Sequence, residues 1–226
     1  MHIEPGIVDG ARVALGYATG AASLGLSARM ARGCLGRDGG ILPFALRGLV
    51  ATGLVFSFFE ILPHHPVGVS EVHLILGSTL FLLFGAGPAA VGLAAGLLLQ
   101  GLFFAPYDLP QYGMNLTTLI VPLAGVALLA GRIVAPGTAY ADLDYRQALA
   151  LSVAYQGGIV AWVAFWAFYG RGFSAENLAS VGSFAVAYMA VVLVEPLVDL
   201  AVLAGAKTLA AGRGDLFLQR RLRHAA

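Results

Sequence analysis

The sequence predicts an all-α integral membrane protein, one domain over residues 1–226 built as a bundle of about seven transmembrane helices. Three observations predict it. Hydrophobic residues make up 59% of the chain and charged residues 11%, against roughly 25% charged in soluble domains; mean hydropathy is +0.84. The apolar residues fall in long continuous runs, which excludes the ten-residue alternation of a membrane barrel, and strands are set aside. The 30 glycines, with many alanines and no collagen period, suit helices whose backbones approach closely in lipid.

A helix crossing a bilayer takes about 20 apolar residues. Runs ended by charge, Pro or Gly clusters place the spans at Ala11 to Met30, Phe44 to Leu62, Val72 to Phe84, Ala89 to Ala105, Leu116 to Val134, Gln147 to Tyr169 and Leu178 to Ala204. In the first, Gly16 and Gly20 form a Gly-xxx-Gly pair beside Ala14, Ala18 and Ala22, a smooth face for either internal packing or a partner subunit. The third is too short to span unless it tilts or follows buried non-helical chain, and the fourth is marginal; such elements survive only inside a bundle. Between the fifth and sixth, VAPGTAYADLDYR is the longest polar break. The last span contains Glu195, Pro196 and Asp199, carboxylates that read as a proton path or as a polar contact at a proline kink. Residues 205–226, ending GRGDLFLQRRLRHAA, read as a basic amphipathic cytoplasmic tail. No inverted internal repeat is legible.

Lys and Arg set the orientation. With the N-terminus outside and the C-terminus in the cytoplasm, eleven of the 13 fall on the cytoplasmic side, and only Arg12 and Arg171 fall outside. The same assignment puts His2, His64, His65 and His73 on the outer face, together with Tyr107, Asp108, Gln111 and Asn115. His224, in the basic tail, reads as a solvated surface residue.

Several chemistries are excluded. A net charge of +1 offers no field for nucleic acid. The single Cys34 rules out an internal disulfide and a multi-cysteine metal cage. There is no glycine-rich phosphate loop with its lysine, so the chain does not bind ATP itself. Ser78 near His73 lacks the third partner and glycine-framed elbow of a serine hydrolase, and histidines gathered at one surface do not suit haem.

The first ten residues hold Glu4, Pro5, Gly6 and Asp9 where a cleavable leader would have a basic region feeding an apolar run, so the reading keeps Met1 in place. A terminus beginning X-His presents three nitrogens in one plane: the amine, the deprotonated His2 amide and imidazole Nδ1. A second histidine completes a square of nitrogens that favours Ni(II) or Cu(II) over Zn(II) and admits low-spin Co(II). The competing reading is a frayed terminus. His64 and His65, flanked by prolines, read either as loop residues or as contributors. His73, at the start of an apolar helix in SEVHLILGS, needs either a core hydrogen-bond partner or a ligand.

MHI with Gly6, HLILGS opening a helix, GAGPAAVGLAAGLLLQGLFF and YGMN, in that order from Met1 to about Pro122, resemble the CbiM/NikM family. These are the substrate-binding components of energy-coupling factor cobalt and nickel transporters. The resemblance implies a metal site made by Met1, His2 and His73, with Asn115 supporting it, residues 1–10 as the metal-capture segment, and no bound cofactor. It also implies a coupling membrane protein and two ATPase subunits as partners, with a small accessory membrane subunit in some assemblies, in the plasma membrane of a prokaryote. The chain departs from the family pattern in Glu4-Pro5 before Gly6, in Glu71 and Val72 before His73, and in YGMNLTTL. An alternative is a structural or assembly subunit that keeps the scaffold without the metal. A third reading is an intramembrane enzyme using His73 with Asp108 or Glu71.

Overall fold

The structure, a computed structural model, describes residues 3–36, 40–135, 137–209 and 216–222. Among these, seven helical rods pack side by side: α1 Val13–Leu35, α2 Ile41–Glu60, α3 Gly77–Phe84, α4 Ala86–Phe103, α5 Tyr112–Ile133, α6 Tyr145–Arg171, and a last rod of α7 Ala175–Met189 continued by α8 Glu195–Leu209. Five stretches are long and apolar enough to cross a membrane: Ile41–Glu60, Ala86–Phe103, Pro106–Ile133, Tyr145–Arg171 and Ala175–Ala206. The 23-residue α1 has the length, but its Gly, Ser and Arg content lowers its hydropathy.

The third predicted span is corrected. Helix α3 begins at Gly77, not Val72, and its eight residues are all buried; at 1.5 Å per residue they cover only about 12 Å. Before it lies an antiparallel hairpin, β1 His65–Val67 with β2 Ser70–Val72, in which His65 faces Val72. Gly68 turns that hairpin at φ +63, where a side chain would be strained. This small sheet is the exception to the all-helical expectation, and the chain from His73 to Leu76 is the buried non-helical lead-in that such a short helix requires.

The last expected span, Leu178 to Ala204, falls within the stretch Ala175–Ala206, and its helix is interrupted. A 3-10 segment at Ala190–Leu193 separates α7 from α8, and Pro196 is the second residue of α8. The first turn of a helix tolerates proline because its missing N–H would have had no intrahelical partner. At the other end of the polar connector, Asp144 accepts from the Gln147 amide and the Gln147 side chain accepts from the Asp144 amide, a capping box that starts α6.

Helices α1 and α5 cross at Gly20 and Gly113, where a Cβ on Gly20 would sit 2.7 Å from the Gly113 Cα. Gly16 similarly lies against the Met114 side chain. The glycine pair therefore serves internal packing, while Ala14, Ala18 and Ala22 remain exposed.

The expected surface tail is partly folded in. Gln219 donates from its backbone to Leu83 O and from its side chain to Phe81 O and Leu82 O, so it satisfies carbonyls at the C-terminal end of α3. Leu222 is buried, and the Arg221 guanidinium stacks over the Tyr140 ring at 4.8 Å. His224 lies outside the described residues.

Candidate metal centre

The hairpin and the N-terminal segment together build one end of the bundle. Ile3 forms an isolated antiparallel bridge with Ser70, and the Glu4 amide donates to Val69 O at 3.4 Å, so the segment is pinned beside β2 without extending the sheet. The Ile3 amide then donates to Asn115 Oδ1 at 3.0 Å in a buried bond. Further along, Ile7 and Val8 are buried, Gly170 lies against the Ile7 carbonyl, and the Arg12 guanidinium donates to Gly170 O. Residues 3–12 are thereby tied to β2, α5 and the end of α6. Met1 and His2 lie outside the described residues.

His73 follows β2 directly and is 1% exposed. It does not open a helix, which corrects the sequence expectation; it stands in irregular chain just after β2. Its Nε2 is 2.9 Å from Glu71 Oε2. An ionised carboxylate only accepts, so Nε2 carries the hydrogen, and in the neutral ring Nδ1 keeps the lone pair that a metal would use. His64 stacks on the His73 ring at 4.7 Å with planes 14° apart, while Phe59 meets it edge-on at 5.2 Å. His64 is exposed and covers a buried imidazole; His65 is exposed on β1.

Asn115 is 1% exposed. Its Oδ1 holds Ile3, and its Nδ2 has no hydrogen-bond partner among the described residues. Gln111 and Asp108, from the 3-10 turn Pro106–Gln111 that precedes α5, are buried nearby in sequence. Glu4, Glu71 and Asp108 lie within electrostatic range of one another. Burial and the Glu71 charge push the Glu4 carboxyl above its ordinary range, with Arg171 pulling the other way. Glu71 beside the imidazole, with Glu4 and Asp108 within electrostatic range of that carboxylate, gives this end of the molecule a concentration of carboxyls.

In the sequence Glu71 reads as a departure from the family pattern or as an enzyme's acid or base, and its pairing with His73 is a finding of the structure. The signal was the Glu-x-His spacing, since residues two apart share a face on extended chain. Placed on a helix starting at Val72, the same two side chains would have pointed to opposite sides.

Away from this end, Glu195 and Asp199 are both fully buried and meet Ser78, Thr79, Ser152 and Gln156 from α3 and α6. They do more than stabilise a proline kink, because they join α8 to two other helices.

The chain matches the CbiM family, described as the cobalt uptake substrate-specific transmembrane region, over residues 2–211. Among curated proteins no sequence match is found. Two crystal structures share the fold. One, described as a truncated transition metal transporter, is 15% identical with a TM-score of 0.63 and covers 92% of this chain and 99% of its own. The other, described as a transition metal transporter, is 16% identical with a TM-score of 0.61 and covers 94% and 95% respectively.

Proposed function

The chain belongs to the CbiM family of cobalt uptake substrate-specific transmembrane regions, and from that premise we propose that it captures Ni(II) or Co(II) at the outer face of a prokaryotic plasma membrane. In this reading the ion is substrate. It is held by the Met1 amine, the His2 amide and Nδ1, and His73, in a near-planar set of nitrogens. The N-terminus is outside and the C-terminus in the cytoplasm.

The observation that carries the reading is the buried bond from the Ile3 amide to Asn115. Ile3 also bridges Ser70 in the strand that ends just before His73. Ile3 is thereby fixed at the end of the bundle that carries His73, and two residues of extended chain reach at most about 7 Å, which is the reach the proposed ligand set requires. Glu71 fixes the His73 ring as carboxylates commonly do behind a ligating imidazole, and the surrounding acids favour arrival of a dication.

Capture requires a deprotonated amine, amide and imidazole, so protons compete with the ion. Free amines and imidazoles titrate near roughly 8 and 6.5, and affinity therefore falls as pH falls from 8 to 5. Protonating these ligands, or withdrawing the terminal segment, opens the site for release. Transport takes place in an energy-coupling factor complex, with a membrane coupling protein and two ATPases supplying the energy and, in some assemblies, a small accessory membrane subunit.

The test is metal analysis and titration of the protein with its native terminus against a form carrying one additional N-terminal residue. The addition displaces the amine and shifts His2 along the chain, and binding of Ni(II) and Co(II) should collapse although every residue is still present. Unchanged affinity, or affinity flat from pH 8 to 5, would overturn the ligand set. No binding by the native form would favour a structural subunit on the same scaffold.

A further inference from the structure

We propose that Glu195 and Asp199 form a proton-binding site inside the membrane, one proton being held between the two carboxyls through the Ser78 hydroxyl. The inference does not rest on the metal-capture reading.

The first argument is charge. Both carboxyls are fully buried within the apolar stretch Ala175–Ala206. Among the described residues no Lys, Arg or His is paired with either. Two ionised carboxylates so placed would stand side by side in a low dielectric without a counter-charge, and such a pair takes up positive charge. A proton supplies it without needing a cavity.

The second argument is a count of hydrogens. Ser78 Oγ is 2.9 Å from Glu195 Oε1 and 3.0 Å from Asp199 Oδ2, yet a serine hydroxyl has one hydrogen to give. The remaining oxygens are already served. Thr79 donates to Asp199 Oδ1 and Ser152 to Glu195 Oε2. Gln156 Nε2 donates to Glu195 Oε2 at 2.7 Å and to Ile75 O at 2.9 Å. If Ser78 donates to one carboxylate, the other carboxyl must donate to Ser78, and it therefore carries the proton.

A third observation concerns the other end of the Gln156 amide. Gln156 is fully buried and its amide group lies against Glu195, but its Oε1 has no hydrogen-bond partner among the described residues. An acceptor without a donor, beside two uncompensated acids, is short of the same thing they are short of: a hydrogen. The titratable groups facing the pair from neighbouring elements are Tyr155 on α6 and Tyr188 on α7, both buried and within electrostatic range of Glu195. Helix α3 contributes only hydroxyls at this point, and the 3-10 turn Tyr140–Asp142, which also packs on α8, carries Tyr140 and Asp142. None of these is a cation.

Through Gln156 and the Ile75 carbonyl, the pair is connected to the loop that carries His73, since the Ile75 amide donates to His73 O at 3.0 Å. The site is thus anchored to the outer loop while lying within the bundle.

The test is difference infrared spectroscopy of the purified full-length protein, titrated in pH and read in the C=O stretch of protonated carboxylic acids. Wild type should show this band at neutral pH. Glu195→Gln and Asp199→Asn should each remove the same component of it, because either amide donates to Ser78 in place of the acid and leaves one carboxylate that needs no proton. Spectra of wild type minus each variant isolate that component from any band of the half-buried Glu4 and the buried Asp108. Absence of the band in wild type overturns the proposal without recourse to any variant. A difference spectrum that lacks the component for both variants, or shows it for only one, overturns it as well, since the proton would then sit elsewhere or on a single carboxyl.

Discussion

His73 Nε2 and Glu71 Oε2 stand 2.9 Å apart across one intervening residue, with the imidazole buried and the carboxylate partly exposed. This arrangement orients the ring and leaves Nδ1 with its lone pair. Removing a carboxylate behind a ligating histidine typically costs about 10–100-fold in metal affinity. Glu71→Ala is expected to weaken Ni(II) or Co(II) binding by that order. Glu71→Gln, which still offers an oxygen to Nε2–H, should lose less. Calorimetric titration of protein with a native terminus measures both, and an Ala variant that binds like wild type would show that other contacts set the ring.

Much of the bundle was legible because long apolar runs leave few alternatives in lipid. The end that carries the candidate site was less so. Strands β1 and β2 have three residues each, too few for alternation to declare itself, and they are held by pairing with one another and by Ile3 rather than by propensity. Reading His73 as a helix start followed from the apolar residues after it, and that error hid Glu71. The break before Glu195 had a signal in Pro196, but proline in a membrane helix marks a kink as readily as a new start. Met1 and His2, which lie outside the described residues, stood out by the X-His order of nitrogens, while His73 as their partner and Asn115 as support came from the family pattern. The bond of Asn115 to the Ile3 amide is a contact that no spacing rule contains.

That bond gives a second prediction. Asn115→Ala leaves the buried Ile3 amide without an acceptor, a loss of about 1–3 kcal/mol concentrated on the N-terminal segment. Metal affinity should fall by about tenfold or more on that scale, and limited proteolysis should cut the segment sooner. Asn115→Asp keeps an oxygen where Oδ1 stands and should retain most of the affinity. If Ala and Asp behave alike, the acceptor is not what holds the segment.

Packing of α1 on α5 supplies a third. A side chain at Gly20 would meet the Gly113 backbone, with Cβ 2.7 Å from its Cα, and backbone does not yield as a side-chain tip does. Gly20→Val should lower stability by about 1–3 kcal/mol or more through overpacking. Ala18→Val, on the exposed side of the same helix, should change it little. Thermal unfolding in one detergent compares them, and equal midpoints would mean that α1 and α5 do not meet at these glycines.

Gln219 provides the last prediction. A short helix such as α3 has several carbonyls at its C-terminal end with no intrahelical partner, and α3 is buried throughout, so water is a poor substitute. The Gln219 side chain donates to Phe81 O and Leu82 O while its backbone donates to Leu83 O. Gln219→Ala removes the first two bonds and leaves the third. Phe81 O keeps its bond from the Gly85 amide, so the expected cost is about 1–3 kcal/mol for the Leu82 carbonyl left unsatisfied, and it should be local. Hydrogen exchange should rise at amides of α3 and of residues 216–222, while amides where α1 crosses α5 keep their protection. Gln219→Glu tests the sense of the bond, because a carboxylate cannot donate to a carbonyl and should be at least as damaging as alanine. Exchange unchanged at α3 in both variants would show that the segment rests against the bundle without satisfying it.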